Sequence, residues 1–236
     1  MAGEMTKCEA ICLAIYPFSR TSHIVKWLTP TGPVSTIVKG AVRPKSQFLG
    51  QYDLNYTCEI VHYLNGSSDL KPLRECTPLE RRENLRNDYR ALVLAEHFRS
   101  LTLKYAPHGE EAAEWLRTLG TALDELCRDC SAANPSERLT LLLEFELELL
   151  RLAGISPDFE ADEGAFALRG ERRIPVSREV AECLKDPMTK KNLKILLDAA
   201  RVIGVFYSFH LDYPLDARRT LLRMISNQNE TGKQNG

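Results

Sequence analysis

The first third of the chain contains five short segments of strand-like sequence, and these constrain the fold more than any other feature. Each is rich in apolar, β-branched or aromatic residues and is bounded by turn-forming glycine, proline or asparagine. A β-sandwich usually needs about seven strands, so five strands within about 75 residues favour a small barrel of the OB type. The segments are Cys8–Ile15, His23–Leu28, Val34–Val38, Tyr52–Leu64 and Leu70–Cys76.

After the fifth segment the pattern changes from strand to helix. Thr77-Pro78 with Glu80 has the composition of a helix start, with the threonine as N-cap and the glutamate as capping-box partner. The segment from Pro135 to Ala153 is apolar on nearly all sides, which is typical of a central helix, and Gly154 is positioned to end it. Further helices are predicted at residues 110–130, 177–185, 190–209 and 215–225.

These patterns predict a multi-domain α+β protein. An OB-fold barrel is expected over residues 1–78 and an α-helical domain over residues 79–226, with a loop or small hairpin at about 155–176. The polar residues 227–236 are expected to form a disordered tail.

The charges are unevenly distributed, although the chain as a whole is almost neutral. Its 31 lysines and arginines nearly balance 32 aspartates and glutamates, for a net charge of -1. Residues 16–52 nonetheless contain five basic residues and no acidic one, whereas residues 110–163 contain 14 acidic and four basic residues. A protein with one anion-binding face and one solvated acidic face shows this pattern, so near-neutrality does not exclude nucleic acid as a partner.

Composition also restricts the class of protein. A hydrophobic fraction of 44% is enough for a folded core, and no apolar stretch reaches the roughly 18 to 20 residues that span a bilayer. The seven cysteines are scattered along the chain rather than paired in a disulfide framework. We therefore predict a cytoplasmic protein with reduced thiols and no membrane partner.

Enzyme motifs are scarce in the sequence. It has no glycine-rich phosphate loop, no GxSxG and no HExxH, and Glu144, Glu146 and Glu148 are interpreted as the solvated side of a helix. The pair Cys127-x-x-Cys130 has redox or metal spacing, but a structural zinc needs a second pair and a thioredoxin-like site needs a βαβ context. We predict no catalysis, no metal and no cofactor.

The barrel segment carries the positive signal, because its basic residues are interleaved with aromatic ones. Lysine and arginine neutralise phosphates and release counterions, while aromatic ring faces stack on unpaired bases. The same aromatics also have to build the core of a small barrel, and both roles can hold for different members of the set. The aromatics next to basic residues are Tyr16, Phe18, Trp27, Phe48 and Tyr52.

Several motifs, in this order and spacing, resemble the bacterial recombination-mediator family RecO. A basic cluster follows the third predicted strand, and further motifs match the start of that family's helical domain, its central helix with the turn beyond it, and its last helix. The matching stretches are 39–46, Gln51-Tyr52-Asp53-Leu54, Leu85-Arg86-Asn87-Asp88-Tyr89, 145–150 with Gly154-Ile155-Ser156-Pro157, and 213–219.

The resemblance implies an N-terminal OB fold followed by an α-helical domain, in a bacterial protein associated with the nucleoid. It also implies binding of single- and double-stranded DNA, annealing of complementary strands, and action with RecR to load RecA onto DNA covered by single-strand-binding protein (SSB). Many members carry a four-cysteine zinc module after the Gly-x-x-Pro turn. Residues 155–182 contain no cysteine here, so the module is expected to be absent or degenerate.

The candidate site residues follow from the basic barrel segment and from the resemblance. The predicted DNA-binding residues are Arg20, Lys26, Trp27, Lys39, Arg43, Lys45, Phe48, Arg74, Arg81, Arg82 and Arg86. An acidic, Phe-ending SSB tail needs an apolar groove rimmed by cations, for which Arg128, Arg138, Lys194 and Arg201 are the candidates.

Two alternatives remain open from the sequence. The barrel could instead bind a peptide, which would make the protein a non-catalytic interaction scaffold with the basic loop as a solvated edge. A redox enzyme built on Cys127 and Cys130 is the other alternative.

Overall fold

The computed structural model describes residues 4–64, 69–128, 134–159, 165–167, 173–189, 192–210 and 216–234. The chain divides into two compact units, residues 1–84 with 98–127 and residues 85–97 with 128–236. The division falls within one helix, between His97 and Phe98. In the described part of the chain, no helix is both long enough and apolar enough to cross a membrane.

The first unit is built on a closed five-stranded barrel, which confirms the predicted OB-like fold. Its strand order is β1-β2-β3-β5-β4, with β3 and β5 parallel and the other neighbours antiparallel. The strands are β1 (Met5–Ser19), β2 (Ser22–Thr29), β3 (Gly32–Val38), β4 (Thr57–Tyr63) and β5 (Leu70–Glu80).

The barrel interior is filled by alternate residues of the strands, as the period of two requires. Val25 and Trp27 of β2, Cys58 and Ile60 of β4 and Leu73 of β5 belong to this core. In β1 the alternation fails, because residues 10–13 are all buried. The outer side of this stretch is covered within the first unit, where an arginine, Arg99, donates to the backbone carbonyl of Leu13 at 2.6 Å.

The helix start predicted at Thr77 is wrong, because Thr77 and Pro78 belong to β5. They pair with Glu59 and Cys58 of β4, and a register shift lies beside the proline. Such an irregularity is where a strand tolerates a residue without an N–H group. The local capping signal therefore loses to cross-strand pairing, and a 3₁₀ turn at Glu83–Asn87 precedes the first helix.

Two helices follow the barrel along the chain, α1 (Tyr89–Tyr105) and α2 (Ala112–Arg128). The last turns of α1, and α2 up to Cys127, belong to the first unit. Gly120 of α2 lies against Ile11 of β1, where an added Cβ would be 3.6 Å from the isoleucine Cδ1. This close approach explains why both sides of β1 are buried at that point.

The second unit is helical, as predicted. Its central helix α3 (Pro135–Leu152) begins with a capping box between Asn134 and Glu137 and has proline in its first turn. Gly154, at φ 67°, ends it as predicted from its position in the sequence. The remaining helices are α4 (Arg178–Lys185), α5 (Leu193–His210) and α6 (Asp216–Gln234), with a 3₁₀ turn at Pro187–Thr189.

Two details differ from the sequence-based expectation. The segment predicted as a loop or small hairpin contains a three-stranded antiparallel sheet of β6 (Asp158–Phe159), β7 (Ala165–Ala167) and β8 (Arg173–Pro175). Helix α6 continues to Gln234, into the segment expected to be disordered. Residues 226–231 contain neither glycine nor proline, the two strongest helix breakers.

Candidate nucleic-acid interface

The end of β1 and the turn that follows it expose two aromatic rings and one cation to solvent. We define residues 16–22 as the hairpin tip. Tyr16 is 47% exposed and Phe18 is 56% exposed, and Arg20 in the turn is exposed as well. A register shift between Pro17 and Ser19 interrupts the regular pairing of the two strands at this tip. The alternating barrel core therefore does not extend into the hairpin.

The segment between β3 and β4 carries most of the predicted basic cluster. We define residues 39–51 as the basic loop. Successive turns shape it, with Arg43 N–H donating to the Gly40 carbonyl and Ser46 N–H to the Arg43 carbonyl. Gly40 has φ 68°, a backbone region that glycine adopts without strain. Lys39, Arg43 and Lys45 all face solvent on this loop.

Two hydrogen bonds donated by backbone N–H groups join the basic loop to the hairpin tip. Val42 N–H donates to the Thr21 carbonyl at 3.3 Å, and Gly40 N–H donates to the Ser22 hydroxyl at 3.4 Å. At its other end the loop reaches β5, because Gln47 Nε2 donates to the backbone carbonyl of Arg74. One surface thus combines cations that are far apart in sequence. We call these five the basic surface: Arg20, Lys39, Arg43, Lys45 and Arg74.

Among the described residues, the cations of the basic surface form no ion pair with a carboxylate. Throughout the residues that the structure describes, no ion pair within 4.0 Å involves any of the five, and all are exposed. Because they are not neutralised within the protein, their charge is available to an external anion. Lys26 differs, since it is half-buried on the barrel wall and its Nζ donates to Ser35 Oγ at 2.6 Å.

Two of the aromatics predicted to contact DNA lie in the barrel core instead. Trp27 is fully buried, its Nε1 donates to Thr36 Oγ1 at 2.8 Å, and its ring packs edge-on against Tyr52. Phe48 of the basic loop is buried in the same core cluster and anchors the loop. Neither ring presents a face to solvent. The prediction that these two residues stack on bases is therefore corrected: both belong to the barrel core.

Arg82, another predicted DNA contact, is buried as well. Its Nε donates to Asp124 of α2 at 2.6 Å, and its Nη1 donates to the Asn55 carbonyl and to the Thr57 hydroxyl. The described bonds of its side chain go to α2 and to the barrel, so Arg82 ties α2 to the barrel and is not an exposed DNA contact. Arg81 is exposed and lies 3.7 Å from Glu83, and Arg86 is exposed in the second unit.

The predicted SSB-binding residues do not share one environment in the second unit. Arg138 is buried against Asp88, and Arg201 pairs with Asp198 on its own helix. These positions correct the prediction that the two arginines rim an apolar groove for the SSB tail. Lys194 is exposed, and so is Arg128.

An open groove of about 310 Å³ between α1 and α6 was not predicted from the sequence. Its lining is mostly apolar with one carboxylate, and comprises Tyr89, Leu92, Val93, Glu96, Ala217 and Thr220. Tyr89 is among the most exposed large side chains of the chain's described part. The i, i+3 and i+7 spacing of Tyr89, Leu92 and Glu96 is the signal that would have indicated a shared helix face.

Glu146 contradicts the interpretation of the α3 glutamates as a solvated face. Its carboxylate is completely buried and accepts hydrogen bonds from Arg218 Nε at 2.6 Å and Nη2 at 3.0 Å. His97 Nε2 lies 2.7 Å from Glu146 Oε1. Burial alone would raise the pKa of Glu146, but Arg218 and His97 together outweigh it and hold that pKa below its ordinary value.

Two thiols of the barrel core have raised pKa values. Burial raises the pKa of Cys12 well above its usual range. The pKa of Cys76 is also raised, mainly by its hydrogen bond to Cys58 and to a lesser extent by burial. Raised thiol pKa values leave little nucleophilic thiolate. Cys127 is half-buried, whereas Cys130 lies outside the described residues. Across the described ranges, no cluster of three His, Cys, Asp or Glu residues could hold a metal ion.

A closed five-stranded barrel of the OB type, with exposed aromatic rings and a group of cations that pair with no described carboxylate, is typical of a DNA-binding protein of the OB-fold class. The sequence matches the family described as recombination protein O N terminal over residues 1–82 and recombination protein O C terminal over residues 86–192. The chain belongs to the recombination protein O (RecO) family, whose role is that of a mediator in DNA repair and recombination. A comparison with curated proteins gives no match.

Proposed function

We propose that this protein binds single- and double-stranded DNA through its basic surface and anneals complementary strands without catalysing a covalent reaction. With RecR, it would load RecA onto single strands covered by SSB, in the bacterial cytoplasm at the nucleoid. The observation that carries the proposal is the set of hydrogen bonds between the hairpin tip, the basic loop and β5, which groups five cations that form no ion pair with any described carboxylate.

The physical basis of binding is phosphate neutralisation. Each cation that contacts a phosphate releases condensed counterions, so affinity falls with salt in proportion to the number of contacts. Screening of phosphate charge also lowers the repulsion between two complementary strands. Annealing then needs no chemical step, which agrees with the buried, high-pKa thiols of the barrel.

A salt titration of single-stranded DNA binding tests the basic surface. In the variant Lys39→Ala/Arg43→Ala/Lys45→Ala, we expect weaker binding and a log-log salt slope smaller by about 2, since each phosphate contact contributes about 0.7. The matched control is Lys7→Ala/Lys104→Ala/Arg117→Ala, which removes the same charge from exposed positions of the same unit. Equal slopes in the two variants would show that net charge, and not the basic loop, governs binding.

The peptide-binding scaffold remains the alternative function. It is favoured if wild-type protein binds no oligonucleotide at low salt but binds a partner protein tightly. A strand-annealing assay with and without SSB, and then with RecR and RecA added, measures the mediator activity itself.

For the SSB tail we propose the groove between α1 and α6 in place of the scattered cations. Leu92, Val93 and Ala217 provide an apolar floor for a terminal phenylalanine ring. Arg223, one helical turn beyond Thr220, is exposed and can pair with acidic residues of the tail.

The assignment of this groove is tested by fluorescence anisotropy with a peptide of the SSB C-terminus. Tyr89→Ala and Arg223→Glu are each expected to weaken binding by about tenfold, as truncation at an interface hot spot does. Arg201→Glu provides the comparison, because Arg201 is an exposed cation already paired with Asp198. Loss of affinity in Arg201→Glu alone would move the site to α5.

A further inference from the structure

Two exposed rings on the hairpin tip are not used by the phosphate-binding surface. Tyr16 and Phe18 lie beside Arg20, on the element that is hydrogen-bonded to the basic loop. An exposed large ring gives up the ~1.5 to 3 kcal/mol that its burial would provide. Two such rings on the hairpin tip, which is hydrogen-bonded to a loop carrying three exposed cations, form a surface suited to an aromatic, anionic ligand.

We propose that Tyr16 and Phe18 stack on unpaired bases and thereby give the basic surface its preference for single-stranded over double-stranded DNA. The proposal rests on the DNA-binding function proposed above and assigns different roles to the cations and to the aromatic rings. The cations bind phosphates of either form, whereas the rings engage only a strand whose bases are free.

The difference between the two DNA forms supplies the selectivity. In a duplex both faces of every base are covered by neighbouring base pairs, so a ring can stack only after a step has been opened, which costs a few kcal/mol. A single strand offers its base faces at little cost. Stacking also tolerates any sequence, since every base has an aromatic face.

The hairpin tip is held in position before DNA arrives. Thr21 and Ser22 accept hydrogen bonds from the basic loop, and His23 at the base of the tip is hydrogen-bonded to the Tyr52 hydroxyl at 2.8 Å. Tyr52 in turn packs against the buried Trp27. A ring carried on a supported hairpin loses little conformational freedom on binding, which favours affinity.

A protein partner is the other occupant that exposed rings can attract. The charge argues for nucleic acid, because residues 16–52 contain no Asp or Glu and the four basic-surface cations in that segment form no ion pair with any described residue. An apolar protein interface is usually depleted of such unneutralised charge at its centre.

The experiment compares two DNA forms in the full-length protein. Affinities for a mixed-sequence oligonucleotide and for its blunt duplex are measured for wild type and Tyr16→Ala/Phe18→Ala at one salt concentration. We expect the double variant to lose about tenfold or more in affinity for the single strand, with the duplex affinity unchanged within about twofold. The conservative variant Tyr16→Phe/Phe18→Tyr keeps both ring faces and should retain the single-strand affinity.

The remaining outcomes separate failure of this proposal from failure of the DNA-binding function. If the double variant keeps both affinities, or loses both equally while its melting temperature is unchanged, base stacking by the hairpin tip is overturned. Leu79→Ala, an exposed apolar residue of β5, controls for a general effect of removing surface area. The variant Lys39→Ala/Arg43→Ala/Lys45→Ala in the same assay reports independently on phosphate binding. If this variant alone lost affinity for DNA, the DNA-binding function would stand and base stacking by the hairpin tip would not.

Discussion

Glu146 of α3 and Arg218 of α6 form a doubly hydrogen-bonded ion pair with both side chains buried. Arg218 also donates to the Ala200 carbonyl of α5, and Tyr207 of α5 donates to the Glu146 carbonyl. Three helices of the second unit are therefore tied together by one charged centre. The removal of charge from water is costly, so such a pair is retained only when its hydrogen-bonding groups are well satisfied.

Arg218→Leu is expected to destabilise the protein by about 3 to 5 kcal/mol, because the Glu146 carboxylate would remain buried without its main counter-charge. Urea unfolding followed by circular dichroism measures the effect. The double variant Glu146→Leu/Arg218→Leu removes both charges and should lose less than the single variant. A double variant less stable than Arg218→Leu would contradict this explanation.

The same centre predicts a dependence of stability on pH. The pKa of Glu146 is lower in the folded protein than the ordinary value of about 4.5, so its contribution to stability is fully present above that value. It is lost as the pH falls below about 4.5 and through the lower folded pKa. Wild type should therefore lose its stability advantage over Glu146→Gln across this acidic window, as measured by urea unfolding at successive pH values.

Gly204→Ala should destabilise the protein, although alanine normally favours a helix over glycine by about 1 kcal/mol. An added Cβ at Gly204 of α5 would lie 2.7 Å from Arg218 Nη1, and the guanidinium cannot move without loosening its bonds to Glu146. We expect a net loss of about 1 to 2 kcal/mol, as in other overpacked sites. In an Arg218→Leu background the penalty should shrink, and an equal penalty in both backgrounds would exclude this contact as its cause.

Arg82→Lys separates a structural role for residue 82 from a phosphate-binding one. Lysine keeps the charge but cannot reproduce the fork that bonds Asp124, Asn55 and Thr57 together. The melting temperature should fall by several degrees, while the salt slope of single-stranded DNA binding stays at the wild-type value. A changed slope with an unchanged melting temperature would restore Arg82 to the DNA-binding surface.

Trp27→Phe provides a similar test for the barrel core. The phenyl ring fills most of the space but leaves the Thr36 hydroxyl without the 2.8 Å bond from the indole. We expect a loss of about 1 to 3 kcal/mol in stability and no change in DNA affinity beyond about twofold. A large loss of single-strand affinity in a variant of wild-type stability would mean that Trp27 reaches bases after all.

The sequence allowed much of the fold to be predicted because local signals and tertiary demands agree there. Turn residues and β-branched runs delimit the strands, and Asn134, Pro135 and Gly154 mark the ends of α3 as they do in an isolated helix. Thr77-Pro78 shows the limit of this approach. A helix-start signal is worth about 1 kcal/mol, and pairing with β4 outweighs it.

The candidate site was predicted only in part, for the same reason. Its cations could be found because a run without carboxylates is visible in one dimension. The sequence could not show which aromatic side chains face outward. Trp27 and Tyr16 both have a basic residue nearby in sequence, but only Trp27 points into the closed barrel. The bond between Thr21 and Val42, which joins the hairpin tip to the basic loop, links segments about 20 residues apart.

The sequence by itself therefore determined the barrel-then-helix order, the ends of α3 and the segregation of charge, all of which depend on neighbouring residues. The tertiary structure alone decided that Tyr16 and Phe18 are exposed, that Trp27, Phe48 and Arg82 are buried, and that Glu146 faces inward to Arg218. The physical reason is that burial and charge pairing are set by residues distant in sequence. A glutamate on an apolar helix is solvated or buried according to whether a partner such as Arg218 lies opposite it.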